Sequence, residues 1–300
     1  MEKPASGIIL ADKPEGMTSQ ALVSRVKRML QVRSAGHTGT LDPIATGLNL
    51  ICYGRATKVC EYITGCDKEY VAALRLGVET DTGDVTGAVV NTCEKNFRSS
   101  EVAAALPRFL GTQGQIPPMY SAIKRGGKKL YELARAGETV ELEPRQITIY
   151  ALELLDGDEP NQEFTLRIAC SKGTYIRSLC RDIGRALGSF GTMAALRRTA
   201  VGGFSVRQAL TPETLAERLA QGDYGFVLPM DAVFAPLGSM TVDTRGEALL
   251  KNGAEIPADC VTASAGAAGR RRIYNATGAF LAVGTLDGSQ IAVEKRFFEP

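Results

Sequence analysis

Strand-like alternation recurs along this 300-residue chain with helical segments interspersed, yet several strands run on without a crossover long enough for a regular βαβ unit. The alternation is cleanest in Phe164, Leu166, Ile168 and Cys170, and it repeats in Ile147, Ile149 and Ala151 and in Leu74, Leu76 and Val78. That arrangement favours an α+β fold with a mixed, largely antiparallel sheet flanked by helices over a doubly wound one. GIILADKP reads as a first strand ending in a Lys-Pro turn. TSQALVSRVKRML follows as a helix, with Leu22, Val26, Met29 and Leu30 at helical spacing and Thr18 or Ser19 as N-cap. LNLICYG is a buried strand and ATKVCEYI a short helix. Further helices are expected at 101–110, 127–136 and 174–187, the last with Ile176, Leu179, Cys180, Ile183 and Leu187 on one stripe, and Thr211-Pro212 opens another. After about residue 235 the texture changes to short strands separated by Gly, Asn and Asp turns, which predicts a small all-β domain over 236–300 after a larger one over 1–235.

Composition narrows the chemistry. With 44% apolar and 23% charged residues the chain is an ordinary globular sequence, without an apolar run long enough to span a bilayer. Its start, MEKPASGIILADKP, lacks the apolar core of a secretory signal, so a cytoplasmic protein is expected. Seven cysteines without a C-x-x-C argue against a disulfide framework or a structural zinc. A single histidine excludes a His-rich metal site. Formal net charge is only +2, but basic residues cluster at 24–33, 120–135 and 269–272. Such patches fit a polyanion-binding face, and each alone fits a solvated surface equally well.

Three segments carry most of the special chemistry. GHTGTLDPIATG (36–47) holds the one histidine, His37, and presents Asp42 before a proline, which holds its backbone extended. A rigid loop offering one carboxylate suits a nucleophile or general base. Spacing alone favours a turn in which Asp42 and the threonines cap the backbone. In CSKGTYIRSLCRDIGRALG (170–188) Arg177, Arg181 and Arg185 recur every four residues on one helix face, opposite the apolar stripe. They could bind phosphate, Arg177 could reach a carboxylate, or the face could simply be solvated. GQIPPMYSAIKRGGKKLYELARAG (114–137) interleaves two tyrosines with basic residues, a mixture that suits nucleic acid, where bases stack and phosphates pair. The acidic GVETDTGDVTG (77–87) lacks the Glu that would complete a calcium loop and reads as a surface turn.

Taken in order, DKPEGMTS, GHTGTLDPIATG, GRATK, DKEY, GVETDTGD, PPMYSAIKRGGKKLYELAR, CSKGTYIRSL and LRRTAVGGF resemble the TruB family of tRNA pseudouridine synthases across most of residues 7–210. The strands after 235 are similar to the small PUA-type domain of bacterial members. The resemblance implies isomerisation of uridine 55 in the TΨC arm of tRNA, with Asp42 as catalytic aspartate and Arg177 as its partner. It implies Tyr70 as the residue stacking on the target uracil and a candidate to help remove the C5 proton. His37, Tyr175 and Leu196 would line the pocket of the flipped nucleotide, and from the basic patches and the arginine stripe Lys124, Arg125, Lys128, Lys129 and Arg181 are expected to contact RNA. It also implies no metal, no cofactor and no obligatory protein partner, and a monomer is expected by default because no self-association signature stands out in the sequence. A binding-only RNA protein and a synthase acting on ribosomal RNA or as a guided complex are the alternatives. One departure stands out. The family usually has a proline after the hydrophobic pair following A-T-G, where this chain has Asn49-Leu50, and the change is expected to affect only a strand downstream of Asp42. The segment CVTASAGAAGRRR is also atypical, and Arg270–Arg272 could be a tRNA contact or only a loop.

Overall fold

The computed structural model describes residues 2–121, 123–138, 140–266 and 269–298, without the side chains of Lys124, Lys129 and Arg135. The chain opens with β1 (Gly7–Lys13), α1 (Ser19–Leu30), β2 (Ala35–His37) and β3 (Thr46–Tyr53). Thr18 caps α1, its hydroxyl accepting from Ala21 N at 3.0 Å. β1 and β3 are apolar on both faces because both faces are covered. Ile9, Ala11, Ile51 and Tyr53 meet Leu22, Val23, Val26 and Leu30 of α1. Ile8, Leu10, Leu48 and Leu50 meet a second layer on the opposite side.

Next come α2 (Cys60–Thr64), β4 (Lys68–Leu76), the small hairpin β5 (Val78–Thr80) and β6 (Val89–Thr92), α3 (Ser99–Ala105) and β7 (Gly111–Gln115). A second hairpin, β8 (Lys124–Arg125) and β9 (Lys128–Lys129), leads into α4 (Leu130–Arg135), so the helix expected from 127 begins three residues later. The Gly126-Gly127 pair, both at positive φ, turns the hairpin instead. Then follow β10 (Arg145–Asp158), β11 (Glu163–Cys170), α5 (Ile176–Ala186), β12 (Gly191–Val201), β13 (Phe204–Ser205) and α6 (Pro212–Ala220).

The main sheet has the order β1-β3-β12-β4-β11-β10-β7, with β2 on β3 and β13 on β12. Every described pairing in it is antiparallel except β3 with β12, so it is the mixed, largely antiparallel sheet that the sequence implies. Strand β11 buries Phe164, Leu166, Ile168 and Cys170, and β4 buries Tyr70, Ala72, Leu74 and Leu76 on the same face, against the α5 stripe Ile176, Leu179, Cys180 and Ile183. Helix α5 comes close to β12 at Gly184, where a Cβ would lie 2.3 Å from Gly191 N.

The parallel contact sets Thr46 and Gly47, directly after the Asp42 loop, beside Arg197 and Arg198. Gly47 has φ +100, and a Cβ there would stand 2.4 Å from the Arg198 carbonyl oxygen. Gly47→Ala should therefore lower the unfolding free energy by about 2–4 kcal/mol, through backbone strain and the clash together. The urea midpoint reads this, and an unchanged midpoint would mean that the two strands have slack to part.

After residue 235 lie β14 (Gly238–Val242), α7 (Thr244–Lys251), β15 (Ile256–Pro257), β16 (Val261–Ala265), β17 (Arg270–Tyr274), β18 (Phe280–Asp287) and β19 (Gln290–Arg296). The strands form a second sheet, β15-β19-β18-β17-β14-β16. The expected β region is present but is not all β. Asp243 caps α7 by accepting from Gly246 N at 2.7 Å, and only Gly246 and Leu250 of that helix are buried, too short an apolar pattern to stand out. Arg270–Arg272 are strand residues, not a loop. Arg270 pairs with Glu294 and Arg271 with Ser264, while Arg272 lies 5.9 Å from the Tyr274 ring centroid. Phe234, Val283 and Phe297 share one apolar cluster with Ile8, Leu10, Leu48 and Leu50, so the second sheet closes the back of β1 and β3.

Candidate active site

The Asp42 loop occupies 38–45, between β2 and β3, and its backbone is pinned on each side of the aspartate. Ser19 Oγ accepts from Leu41 N at 2.8 Å and donates to Leu41 O at 3.3 Å. The Asp42 carbonyl accepts from Ala45 N at 3.0 Å. The Pro43 carbonyl accepts from Gly16 N at 2.8 Å and from Lys13 Nζ at 3.3 Å. Lys13 is fully buried and also donates to Pro14 O at 2.9 Å and Met17 O at 2.5 Å. Burial pushes its ammonium down to about 8, and the nearby Asp42 charge acts against that fall.

The Asp42 side chain is 35% exposed, and its Oδ2 lies 3.0 Å from Arg177 Nε. Arg177 enters from the first turn of α5 and is 7% exposed. Its other nitrogens donate to Thr82 O at 2.9 Å and Tyr120 O at 2.8 Å, and Asp84 Oδ2 stands 3.9 Å from Nε. One guanidinium thus gathers the Asp42 loop, the acidic turn after β5 and the basic segment before β8. Burial raises the Asp42 carboxyl above its usual range, with Arg177 opposing this most strongly, Asp84 adding to it and Lys13 opposing it. The arrangement offers a carboxylate open to solvent on one side and held in one direction by a buried cation.

The turn at 77–87 is not the surface turn expected of it. Asp84 and Thr80 are buried, and Asp84 Oδ1 accepts from Thr86 N at 3.0 Å and Thr82 Oγ1 at 3.1 Å. The arginine stripe of α5 is not a free face either. Arg181 bonds Asp182 at 2.9 Å and Ile116 O at 3.3 Å, and Arg185 bonds Glu79 at 3.0 Å. A cleft of about 400 Å³ runs between the 79–83 turn, Ile116–Met119 and these arginines. Asp42 is not among its lining residues and meets Arg177 outside it.

Tyr70, on β4, is buried in the same apolar cluster as Leu41, Ile176 and Leu196. Burial pushes its hydroxyl up, the Arg198 charge opposes this most strongly, and the Asp42 charge adds to the rise, so the phenol is neutral near Asp42. Tyr175 precedes α5, its N–H donating to Gln115 Oε1 at 2.8 Å and its carbonyl accepting from Gln115 Nε2 at 3.1 Å. His37 ends β2, half-buried, with Nδ1 accepting from Gly39 N at 3.3 Å, and burial together with Arg198 lowers its pKa. Asp42, Tyr70, Arg177 and Leu196 are therefore brought together, with Tyr175 and His37 on the adjoining backbone. Lys128 is exposed, and Arg125 is exposed and donates to Glu141 O. The side chains of Lys124 and Lys129 lie outside those described.

Arg198, Asp84, Lys13 and Ser19 were missed as site residues. Arg198 is 2% exposed, with Nε donating to Leu48 O at 2.7 Å and Nη2 to Gly39 O at 3.1 Å, and so braces the loop from behind. Its only signal in the sequence is its place two residues after Leu196, on the same strand face, and which face is covered is set by the neighbouring strands. Among the described residues, no three His, Cys, Asp or Glu side chains converge as metal ligands.

Residues 27–176 match the family model described as "TruB family pseudouridylate synthase (N terminal domain)", and 177–239 match "tRNA pseudouridylate synthase B C-terminal domain". Among similar proteins, the tRNA pseudouridine synthase B of Aromatoleum aromaticum is 44% identical over 97% of this chain and 92% of its own. That of Cupriavidus metallidurans is 48% identical over 76% of this chain and 72% of its own. A solved structure titled as a Cbf5-Nop10-Gar1 complex aligns with TM-score 0.73 at 26% identity, covering 97% of this chain and 85% of the other. Fold and sequence together define a pseudouridylate synthase, an isomerase. Within that class the chain belongs to the TruB family.

Proposed function

We propose that the chain isomerises uridine 55 in the TΨC arm of tRNA to pseudouridine, with Asp42 as the catalytic carboxylate. The relatives' activity on tRNA and the family membership support the substrate. The observation that carries the site is the 3.0 Å pair between Arg177 and Asp42 at the surface of a cluster holding Tyr70 and Leu196. The reaction breaks the N1–C1′ glycosidic bond, turns the uracil and rejoins it to C1′ through C5, while the C5 proton is released to water and N1, freed from the ribose, takes up a proton from water. No electrons are exchanged. As nucleophile on ribose or base, or as acceptor of the 2′ proton, Asp42 must be ionised, and Arg177 favours that form against burial.

The target atoms are shielded in an RNA stack, so the nucleotide is flipped out at a cost of a few kcal/mol. Stacking on Tyr70 and phosphate contacts offset this. Tyr175, Leu196 and His37 line the pocket, and Arg125, Lys128 and Arg181 contact the RNA backbone. Burial keeps the Tyr70 phenol neutral, which suits stacking better than base catalysis. Residues 1–235 act as the catalytic domain and 236–300 as a PUA-like unit that adds RNA contacts. The chain works in the cytoplasm as a monomer without cofactor or protein partner.

The purified chain alone, given unmodified tRNA transcript, is expected to place one pseudouridine at position 55. Binding without product would make it an RNA-binding protein, and product appearing only with added proteins or on ribosomal RNA would make it a guided or ribosomal synthase.

A further inference from the structure

The departure from the family pattern at Asn49 reaches further than its own strand. Asn49 pairs with Ala11 in the β1–β3 register and points toward α1 on the face carrying Ile9, Ala11, Ile51 and Tyr53. It is fully buried, and its Nδ2 donates to Ser19 Oγ at 2.9 Å. Ser19 Oγ also accepts from Leu41 N at 2.8 Å and lies 3.3 Å from Leu41 O. A hydroxyl has two acceptor sites and one proton. With Asn49 and Leu41 N–H filling both acceptor sites, the Ser19 proton is directed to the Leu41 carbonyl. Both backbone groups of the residue before Asp42 are then held by one atom, whose own orientation Asn49 fixes.

We propose that Asn49 and Ser19 form a positioning pair that sets the peptide before Asp42, and through it the direction of the Asp42 carboxylate toward the reacting nucleotide. The inference rests on the reading of Asp42 given above. A space-filling role for Asn49 accounts poorly for an amide here. Its neighbours on that face are apolar, and its Oδ1 accepts no hydrogen bond from the described residues, which disfavours the folded state. The other flank of Asp42 is held independently, through Lys13 and Gly16 on the Pro43 carbonyl. Removing the pair should therefore loosen the loop on one side without releasing it, and small misplacements of a reacting group reduce rates steeply.

Asn49→Leu keeps the volume and removes both the donor and the unpartnered oxygen, while Ser19→Ala removes both bonds to Leu41. Each is measured for turnover on tRNA labelled with tritium at uridine C5, for KM and tRNA Kd, and for urea unfolding, beside Asp42→Asn. The expected result is a kcat lower by about ten- to a hundredfold in each. KM and Kd should stay within about twofold of the unsubstituted chain, since neither residue faces the RNA, and the Asn49→Leu midpoint should be equal or higher. The double variant should fall no further than the worse single one, because both remove the same constraint. Unchanged kcat in Asn49→Leu, losses that multiply in the double variant, or a kcat that falls only as folded protein is lost would each overturn the proposal. An active Asp42→Asn would instead overturn the reading of the site itself. An inactive Asp42→Asn beside a fully active Asn49→Leu removes only the positioning pair.

Discussion

Asp42→Asn is expected to reduce tritium release from C5-labelled tRNA by at least about 10⁴-fold while leaving tRNA binding within a few-fold of the unsubstituted chain. Asparagine has the same shape and can still accept from Arg177 Nε, so the 3.0 Å contact and the loop around it should survive. What disappears is the negative charge, and with it any capacity to attack carbon or take a proton. The substitution should not destabilise the fold. Burial raises the Asp42 carboxyl above its usual range, so at neutral pH the charged form is held less well in the folded chain than in the unfolded one. A group with a raised folded pKa weakens stability as pH climbs from the unfolded pKa through the folded one, and the amide removes that penalty. The urea midpoint at neutral pH should therefore stay the same or rise, and its difference from the unsubstituted chain should shrink as pH is lowered through the carboxylate range. Arg177 keeps Thr82 O, Tyr120 O and the nearby Asp84, so it is not stranded. Normal turnover in this variant would remove Asp42 from the chemistry.

The parts of this molecule legible in the sequence are those set by short-range periodicity. Phe164, Leu166, Ile168 and Cys170 alternate because β11 has one covered face, and the α5 stripe repeats because a helix lies over a sheet. Thr18 announces α1 because capping is local chemistry. What escaped depends on contacts between distant segments. Asp84 reads as a surface acid until Arg177, ninety-three residues on, is laid against its turn. Arg198 reads as a second strand arginine beside Arg197, although Arg197 faces Asp12 on the open side of the sheet while Arg198 is buried under Gly39 and Leu48. The two differ only in register, and register is fixed by the neighbouring strands. Asn49 likewise reads as local to β3, because its partner Ser19 lies in the first turn of α1, which packs over that face of the sheet. The Asp42 loop itself was ambiguous for the same reason. Its hydroxyls, glycines and carboxylate are those of a capping turn, and only the buried guanidinium arriving from α5 sets it apart from one.

Arg177→Met tests whether that guanidinium acts by charge or by position. At neutral pH turnover should fall by about 10³-fold, and the unfolding free energy by about 3–5 kcal/mol, because Asp42 and Asp84 are left near each other without their shared cation. Arg177 now pulls the Asp42 pKa down against burial, so its removal raises that pKa further and increases the protonated, inactive fraction. The acid limb of the pH–rate profile should therefore move to higher pH, and part of the lost rate should return as pH rises. Stability should run the opposite way, falling with rising pH across the same interval, since the folded variant binds the carboxyl proton more tightly than the unfolded chain. Arg177→Lys separates the two roles. It keeps a positive charge but cannot reach Thr82 O, Tyr120 O and Asp42 at once, as the planar fork does. Its acid limb should stay near that of the unsubstituted chain while its rate remains low at every pH. His37 adds no limb of its own near neutrality, because burial and Arg198 already hold it neutral there. If the Met variant lost the same factor at all pH values, Arg177 would serve only to hold three loops together, and the ionisation of Asp42 would have to be secured by Lys13 from the other side of the loop.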